Sequence, residues 1–142
     1  MTLKRFIAPL AIALTLGAPA FADGSVVRIE QWGAHNEIGG SQSGRWNRMT
    51  VYQDGWSNSA FASQDGRGNR TVVGQTGRRN SATTIQSGRC NVTGVAQFGH
   101  GHAATATQSG GCNAVGVIQA GRGNSASSTQ IGHGNVAVIV QD

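Results

Sequence analysis

Glutamine recurs at every eleventh position along most of the chain, and this register constrains the fold more than any other feature. The glutamines are Gln31, Gln42, Gln53, Gln64, Gln75, Gln86, Gln97, Gln108, Gln119, Gln130 and Gln141. Glycine stands two residues after each of the first ten, at Gly33, Gly44, Gly55, Gly66, Gly77, Gly88, Gly99, Gly110, Gly121 and Gly132. Asparagine stands five residues after the glutamine, at Asn36, Asn47, Asn58, Asn69, Asn80, Asn91, Asn113, Asn124 and Asn135, and His102 alone interrupts that column. A unit repeated in tandem without a slip indicates a repeat architecture.

The composition of the repeat favours strands over helices. An eleven-residue period can also indicate a right-handed helical supercoil. Here each unit contains glycine and usually asparagine, which disfavour helix by several tenths to about 1 kcal/mol per site. We therefore predict strands of seven residues, from the asparagine to the glutamine, joined by turns of four residues. The column glycines are predicted to lie in these turns, where positive φ is needed. Ser25 takes the asparagine position of the first strand, which gives eleven strands.

A second period of 22 residues separates odd strands from even ones. Four residues after the asparagine position, the odd strands carry Ile29, Val51, Val73, Val95, Val117 and Ile139. The even strands carry Gly40, Ala62, Thr84, Ala106 and Ser128 there. Branched side chains on one wall and small ones on the other can interdigitate in a thin, dry core. The prediction is an all-β solenoid of two parallel, amyloid-like sheets, whose glutamine and asparagine amides stack and hydrogen-bond along the axis.

The first 22 residues have the pattern of a secretion signal. Lys4 and Arg5 precede an apolar run over residues 6–16, and a small-x-small cleavage site follows at residues 20–22. This pattern is typical of a Sec signal peptide, and the run is too short for a membrane span. We predict a signal peptide over residues 1–22, a repeat domain over residues 23–142, and a secreted protein that does not span the membrane.

The predicted domain is modestly basic. Without Lys4 and Arg5, nine arginines stand against six acidic residues. Arg45, Arg67 and Arg89 fall in one column, with Gly111 and His133 continuing it. Such a column is either a solvated gatekeeper against lateral clumping, which we favour, or a stripe that binds surface polyanions. Nucleic acid is not an expected partner, because aromatic residues are not interleaved with the arginines.

The ends of the predicted solenoid favour polymerisation. A solenoid needs capping segments to protect its terminal strands. Here two residues separate the predicted cleavage site from the first strand, and one residue follows Gln141. The last strand, residues 135–141, has neither charge nor proline. Head-to-tail addition would continue the ladder, and such a heterologous contact gives open filaments.

The repeat resembles that of the curlin family. The run from Ser25 through Gln31, Gly33 and Asn36 to Gln42 is similar to the curlin pattern Ser-x5-Gln-x-Gly-x2-Asn-x-Ala-x3-Gln, and the resemblance covers residues 25–141. It implies a structural subunit of curli fibres, with itself and other curlin subunits as partners. It also implies export to a cell-surface fimbria through a dedicated outer-membrane channel, and roles in adhesion and biofilm matrix.

Three departures leave the choice between a major subunit and a minor, nucleating subunit open. The long targeting segment that precedes the repeats of the family's major subunit is expected to be absent. Asparagine replaces the serine of the pattern after the first unit, and the arginine excess resembles the minor subunit.

Cys90 and Cys112 are 22 residues apart and should occupy the same turn in successive rungs. A rung spacing of about 4.8 Å suits a disulfide, and export makes oxidation plausible, although two reduced thiols remain the alternative. His100 and His102 should lie at the opposite turn, about 20 Å away, so no metal site is predicted. No catalytic constellation and no cofactor site are expected.

A soluble ice-binding or surface-binding solenoid is the alternative function. The even strands direct hydroxyl side chains outward, and Gly39, Phe61 and Ile85 interrupt that face. The outward hydroxyl residues are Ser81, Thr83, Thr105, Thr107, Ser125, Ser127 and Thr129.

Overall fold

The computed structural model describes residues 24–142, so the predicted signal peptide lies outside the described residues. Eleven β-strands follow one another, joined by connections of two residues. They are β1 (Val26–Ala34), β2 (Glu37–Arg45), β3 (Arg48–Trp56), β4 (Ser59–Arg67), β5 (Arg70–Arg78), β6 (Ser81–Arg89), β7 (Val92–His100), β8 (Ala103–Gly111), β9 (Ala114–Arg122), β10 (Ser125–His133) and β11 (Val136–Gln141). No helix in this part of the chain is long and apolar enough to cross a membrane.

The strands form two sheets, which we call the odd sheet and the even sheet. The odd sheet has the order β1-β3-β5-β7-β9-β11, and the even sheet has the order β2-β4-β6-β8-β10. Neighbouring strands are parallel and shifted by 22 residues, so that Gln31 pairs with Gln53 and Gly33 pairs with Gly55. Every glutamine, glycine and asparagine column therefore runs parallel to the solenoid axis. The predicted β-solenoid of two parallel sheets is confirmed.

A thin core lies between the sheets. The odd sheet contributes larger side chains and the even sheet contributes alanine, in the division that the 22-residue period predicted. The buried hydrophobic residues are Met49, Val51, Val73, Val95, Val115 and Val117 from the odd sheet, and Ala60, Ala62, Ala82, Ala104, Ala106 and Ala126 from the even sheet. Because the walls are complementary in size, the sheets approach closely without a layer of water.

The strands differ from the predicted ones at their ends. Ten of them have nine residues rather than seven, and each connection has two residues rather than four. The column glycines, predicted to lie in the turns, are the eighth residues of these strands and pair in register with each other. They do have positive φ, from 87° to 126°. Glycine bends the strand toward the next sheet without interrupting its pairing, so the ladder continues past the bend.

Candidate functional site

The glutamine side chains form two continuous hydrogen-bonded ladders, one in each sheet. The Nε2 of each glutamine donates to the Oε1 of the glutamine 22 residues later, at 2.6–3.0 Å, in nine successive bonds. The seven glutamines from Gln53 to Gln119 are at most 1% exposed. Buried amides are costly unless they are paired, so a ladder of this kind stabilises the stack only when consecutive rungs stay in register.

Each glutamine also ties one sheet to the other. The Nε2 of Gln53, in β3, donates to the backbone carbonyl of Glu37, at the start of β2, at 3.1 Å. The Nε2 of Gln64, in β4, donates to the carbonyl of Arg48, at the start of β3, at 3.0 Å. Equivalent bonds recur up to Gln141. One side chain therefore holds rung to rung and sheet to sheet.

Two threonines extend the even-sheet ladder across the core. Thr71 Oγ1 accepts from Gln64 Nε2 at 3.1 Å and donates to Gln86 Oε1 at 2.9 Å. Thr93 makes the equivalent pair of bonds one rung further along. By contrast, the hydroxyl of Thr84 is buried without a hydrogen-bond partner in the described structure. The core polar network is thus nearly complete, with one hydroxyl left over.

The asparagines bond mainly to backbone, which differs from the predicted stacking of their amides. Asn58 Nδ2 donates to the carbonyl of Asp54 at 3.3 Å, across its own connection, and to the carbonyl of Gly77, in the next rung, at 3.1 Å. Its Oδ1 accepts from the backbone N–H of Asn80 at 3.1 Å. The shorter side chain lies at the bend, where backbone polar groups face inward and need partners. Amide-to-amide bonds in this column join only Asn91 to Asn113 and Asn113 to Asn135.

His102 takes the place of an asparagine and reproduces its bonds. Its Nδ1 accepts from the backbone N–H of Asn124 at 3.3 Å, and its backbone N–H donates to Asn80 Oδ1 at 3.2 Å. Its Nε2 lies 3.1 Å from the carbonyl of Phe98, which assigns the proton to Nε2 because a carbonyl can only accept. The ring is 1% exposed. The gap in the asparagine column is therefore filled by a residue with the same donor and acceptor pattern.

The column glycines are required by packing as well as by φ. A Cβ at Gly77 would lie 1.9 Å from the carbonyl oxygen of Gly99, and a Cβ at Gly66 would lie 1.9 Å from that of Gly88. Any side chain in the inner rungs of this column would therefore collide with the backbone of the next rung. The glycines permit the rungs to stack at strand spacing through the bend.

Sequence analysis missed a second column of left-handed backbone, immediately before the asparagine. Six residues other than glycine have φ of 51–58° there: His35, Trp46, Ser57, Arg79, Cys90 and Cys112. Left-handed backbone is uncommon outside glycine and costs free energy. The signal was present, because the same column contains Gly68, Gly101, Gly123 and Gly134.

Cys90 and Cys112 lie in adjacent rungs, in the connections that follow β6 and β8. Their Cα atoms are 4.6 Å apart, and the structure pairs their sulfur atoms as a disulfide. His100 and His102 lie at the opposite edge of the solenoid, in and after β7. Residues 24–142 contain no group of three side chains that could hold a metal ion.

The arginines lie largely outside ion pairs. Arg45, Arg67 and Arg89 are in register at the ends of neighbouring even-sheet strands. The guanidinium of Arg67 lies 4.8 Å from the ring centre of Trp46. Within residues 24–142 the only ion pair joins Arg28 to Glu30. The arginine column is therefore exposed positive charge that no carboxylate of the described residues neutralises.

The repeats match a known family model in the middle of the chain. The family model of the curlin associated repeat matches residues 47–77 and 77–110. These residues are curlin associated repeats. No curated protein and no solved structure shows a significant match to the chain. The glutamine bonds of the curlin repeats continue unchanged in the strands on either side of the matched residues. The matched repeats support a curli-type structural subunit.

Proposed function

We propose that this curlin-repeat protein polymerises head to tail into an extracellular amyloid fibre that serves adhesion and the biofilm matrix. The observation that supports polymerisation is the open state of the core at the end of the described stack. The core residue Ile29, in β1, is 50% exposed, whereas its counterpart Val51, one rung inward, is 1% exposed. An apolar core exposed on an unpaired strand edge is a template for another chain.

The strand edges are free at both ends of the described solenoid. β1 and β2 each pair with one neighbour at one end, and β10 and β11 each pair with one neighbour at the other. Both sheets share the same glutamine, glycine and asparagine columns, so an odd strand of a second copy can add to the odd sheet, and an even strand to the even sheet, in register. The contact is heterologous, and repeating it produces an open filament rather than a closed ring.

The glutamine ladders give the two ends complementary hydrogen-bonding groups. Each glutamine-to-glutamine bond runs from an Nε2 to the next rung toward the C-terminus, so the first glutamines, Gln31 and Gln42, accept no glutamine amide within the described chain. At the other end, Gln130 and Gln141 accept from Gln108 and Gln119, and their own Nε2 atoms have no glutamine to donate to. In head-to-tail addition the free donors of one copy meet the free acceptors of the next.

The predicted signal peptide and the family resemblance support a route for the fibre subunit. Residues 1–22 would direct the chain through the Sec pathway to the periplasm, and the curli secretion apparatus would export it to the cell surface. The unneutralised column of Arg45, Arg67 and Arg89 supports contact with surface polyanions. The arginine excess also supports a minor, nucleating role beside a major curlin subunit, which seeding of such a subunit would test.

The direct test is assembly of residues 23–142 after release from denaturant. We expect thioflavin T-positive fibres with reflections near 4.8 Å and 10 Å. Ile29→Lys should stop elongation because it places a charge in the open core. Val26→Lys adds the same charge to the outer face of the same strand and should leave elongation intact. A wild-type protein that stays monomeric and β-rich would contradict the proposal.

Ice binding is the second candidate function, and the outer face of the even sheet is the observation that favours it. Thr83, Thr105, Thr107 and Thr129 are outward residues of adjacent strands in one sheet. Serines at the neighbouring outward positions extend this hydroxyl surface. Thermal hysteresis of the freshly purified monomer would support ice binding, and its absence would exclude it.

A further inference from the structure

The outer face of the odd sheet changes from charged to apolar along the solenoid. On β7, β9 and β11 it consists of Val92, Gly94, Ala96, Phe98, Ala114, Gly116, Ile118, Ala120, Val136, Val138 and Val140, which we call the apolar face. None of these residues is charged. Phe98 is 52% exposed, Ile118 is 44% exposed and Val138 is 69% exposed. Contiguous exposed apolar surface of this kind indicates an interaction site.

On the other strands, charged or hydroxyl side chains lie among the exposed apolar residues. The same outer face carries Arg28 and Glu30 on β1, Arg48 and Asp54 on β3, and Arg70 on β5. The outer face of the even sheet is mostly serine and threonine. The apolar face is therefore a charge-free apolar surface made of three adjacent strands.

Glycines form a trough along the middle of the apolar face. Gly94 and Gly116 pair in register, and a Cβ at either would meet nothing within 4 Å. Neither has positive φ. Unlike the column glycines, they are required neither by the backbone nor by internal packing. Residues at the flanking outward positions, such as Val92 and Ile118, rise on either side of the trough. Glycine within a strand often indicates close approach of another backbone.

We propose that the apolar face is the surface through which filaments of this protein associate side by side. The proposal rests on the polymerisation proposed above, because a filament repeats the face at every subunit along its length. A partner that covers every copy must repeat with the same spacing, and a second filament of the same chain does so. The occupant of the apolar face is therefore the apolar face of another copy.

The size of the face explains why filaments, and not free subunits, would pair. Three strands at about 4.8 Å and seven residues at about 3.3 Å give roughly 300 Å². A stable interface takes about 800 Å² from each partner. One contact is too small to hold a dimer, but many contacts linked along two filaments add together by avidity.

A two-fold arrangement centred on β9 brings the apolar strands of two copies together. It places β9 against β9 and β7 against β11, so that each copy offers the same patch, as an isologous contact requires. No charged side chain of the odd sheet's outer face is buried within the three overlapping strands.

Lysine substitutions in the apolar face test the proposal. Gly116→Lys and Ile118→Lys change outward positions of β9, and Gly116 has room for a side chain. The control Thr107→Lys adds the same charge to the outer face of β8 in the even sheet. Filament width in electron micrographs and low-speed sedimentation report lateral association, while seeded thioflavin T growth and the 4.8 Å reflection report polymerisation.

We expect wild-type protein and Thr107→Lys to form paired or bundled filaments. Gly116→Lys and Ile118→Lys should elongate as wild type does but remain single and lose low-speed sedimentation. Bundling of both lysine variants to the wild-type extent, or wild-type filaments that stay single, would overturn the lateral interface and leave polymerisation intact. Failure of the wild type to form any filament would instead overturn the proposed function, and the lateral interface with it.

Discussion

At the residue scale, the fold depends on side chains that hydrogen-bond to groups of the neighbouring rung. Each inner glutamine bonds to two glutamines and to one backbone carbonyl of the other sheet, as Gln75 does with Gln53, Gln97 and Ser59. Each inner asparagine hydrogen-bonds to backbone groups at the bend of its own rung and at the bend of the next rung. From one repeat to the next, the hydrogen-bonding residues therefore vary less than the apolar residues. The reason is that an unpaired buried polar group costs more free energy than a lost methyl contact.

Substitution of His102 tests whether the ring acts as an asparagine. His102→Asn should leave the guanidinium midpoint of the assembled protein unchanged or raise it, because the amide can bond to the carbonyls of Phe98 and Gly121 as the other asparagines do. His102→Leu should lower stability by about 1–3 kcal/mol, because it leaves the N–H of Asn124 and the carbonyl of Phe98 unpaired. Equal midpoints for the leucine and asparagine variants would show that ring packing, not hydrogen bonding, is what the site needs.

Two glycines of β5 form a matched pair for testing close approach. Gly77→Ala should destabilise the protein by more than about 2 kcal/mol, because φ is 121° and the Cβ would lie 1.9 Å from the carbonyl of Gly99. Gly74→Ala, with no atom within 4 Å of its Cβ, should leave stability unchanged or raise it by about 0.5–1 kcal/mol. Guanidinium midpoints measure both. A tolerated Gly77→Ala would mean that the rungs can separate at the bend.

At the scale of elements, the two-residue connection is the unit that repeats most strictly. It contains a left-handed residue and then the column asparagine, and both its ends are held to the next rung by backbone bonds, such as Cys112 N–H to the carbonyl of Arg89 at 2.8 Å. Such short connections leave little freedom for the rungs to shift. The connections that contain Cys90 and Cys112 add a covalent link to these bonds.

Reduction of the cysteine pair should loosen one step of the solenoid. For a closed loop of 22 residues the loss is expected to be about 3 kcal/mol. The guanidinium midpoint of the oxidised protein should exceed that of the reduced protein and of a double variant, Cys90→Ser with Cys112→Ser. The double variant should not respond to reductant. Mass spectrometry that finds two free thiols in the exported protein would contradict a native disulfide.

At the scale of the whole molecule, the structural repeat is a rung of 22 residues and not a strand of eleven. The two walls of the core differ, with Val51 and Val73 stacked in the odd sheet and Ala60 and Ala82 in the even sheet. A strand moved to the other sheet would keep its glutamine, glycine and asparagine columns but would not fit the core. Overpacked and underpacked positions would then alternate along the axis.

Deletions of one rung and of half a rung separate these two periods. Removal of residues 70–91 joins β4 to β7 and preserves both walls, so we expect a shorter solenoid that still assembles. Removal of residues 70–80 joins β4 to β6 and moves every later strand to the other sheet. We expect this variant to be less stable than the 22-residue deletion, because both walls are broken at the junction, where Val51 then stacks on Thr84 and Ala62 stacks on Val95. Circular dichroism and guanidinium midpoints, both measured under reducing conditions because the longer deletion removes Cys90, provide the comparison. Equal stability of both variants would contradict the two-wall core.

The sequence by itself determined the repeat, the pairing of each strand with the next but one, and the division of the core into two walls. These follow from periodicity alone, because parallel rungs place identical positions in contact. The ends of the strands, the backbone partners of the asparagines, the left-handed column and the role of His102 were decided only by the tertiary structure. Each depends on how close one rung's backbone comes to the side chains of the next, at distances that a sequence period does not contain. The apolar face was also decided only by the tertiary structure, because it brings together residues of β7, β9 and β11 that are separated in the chain by the strands of the other sheet.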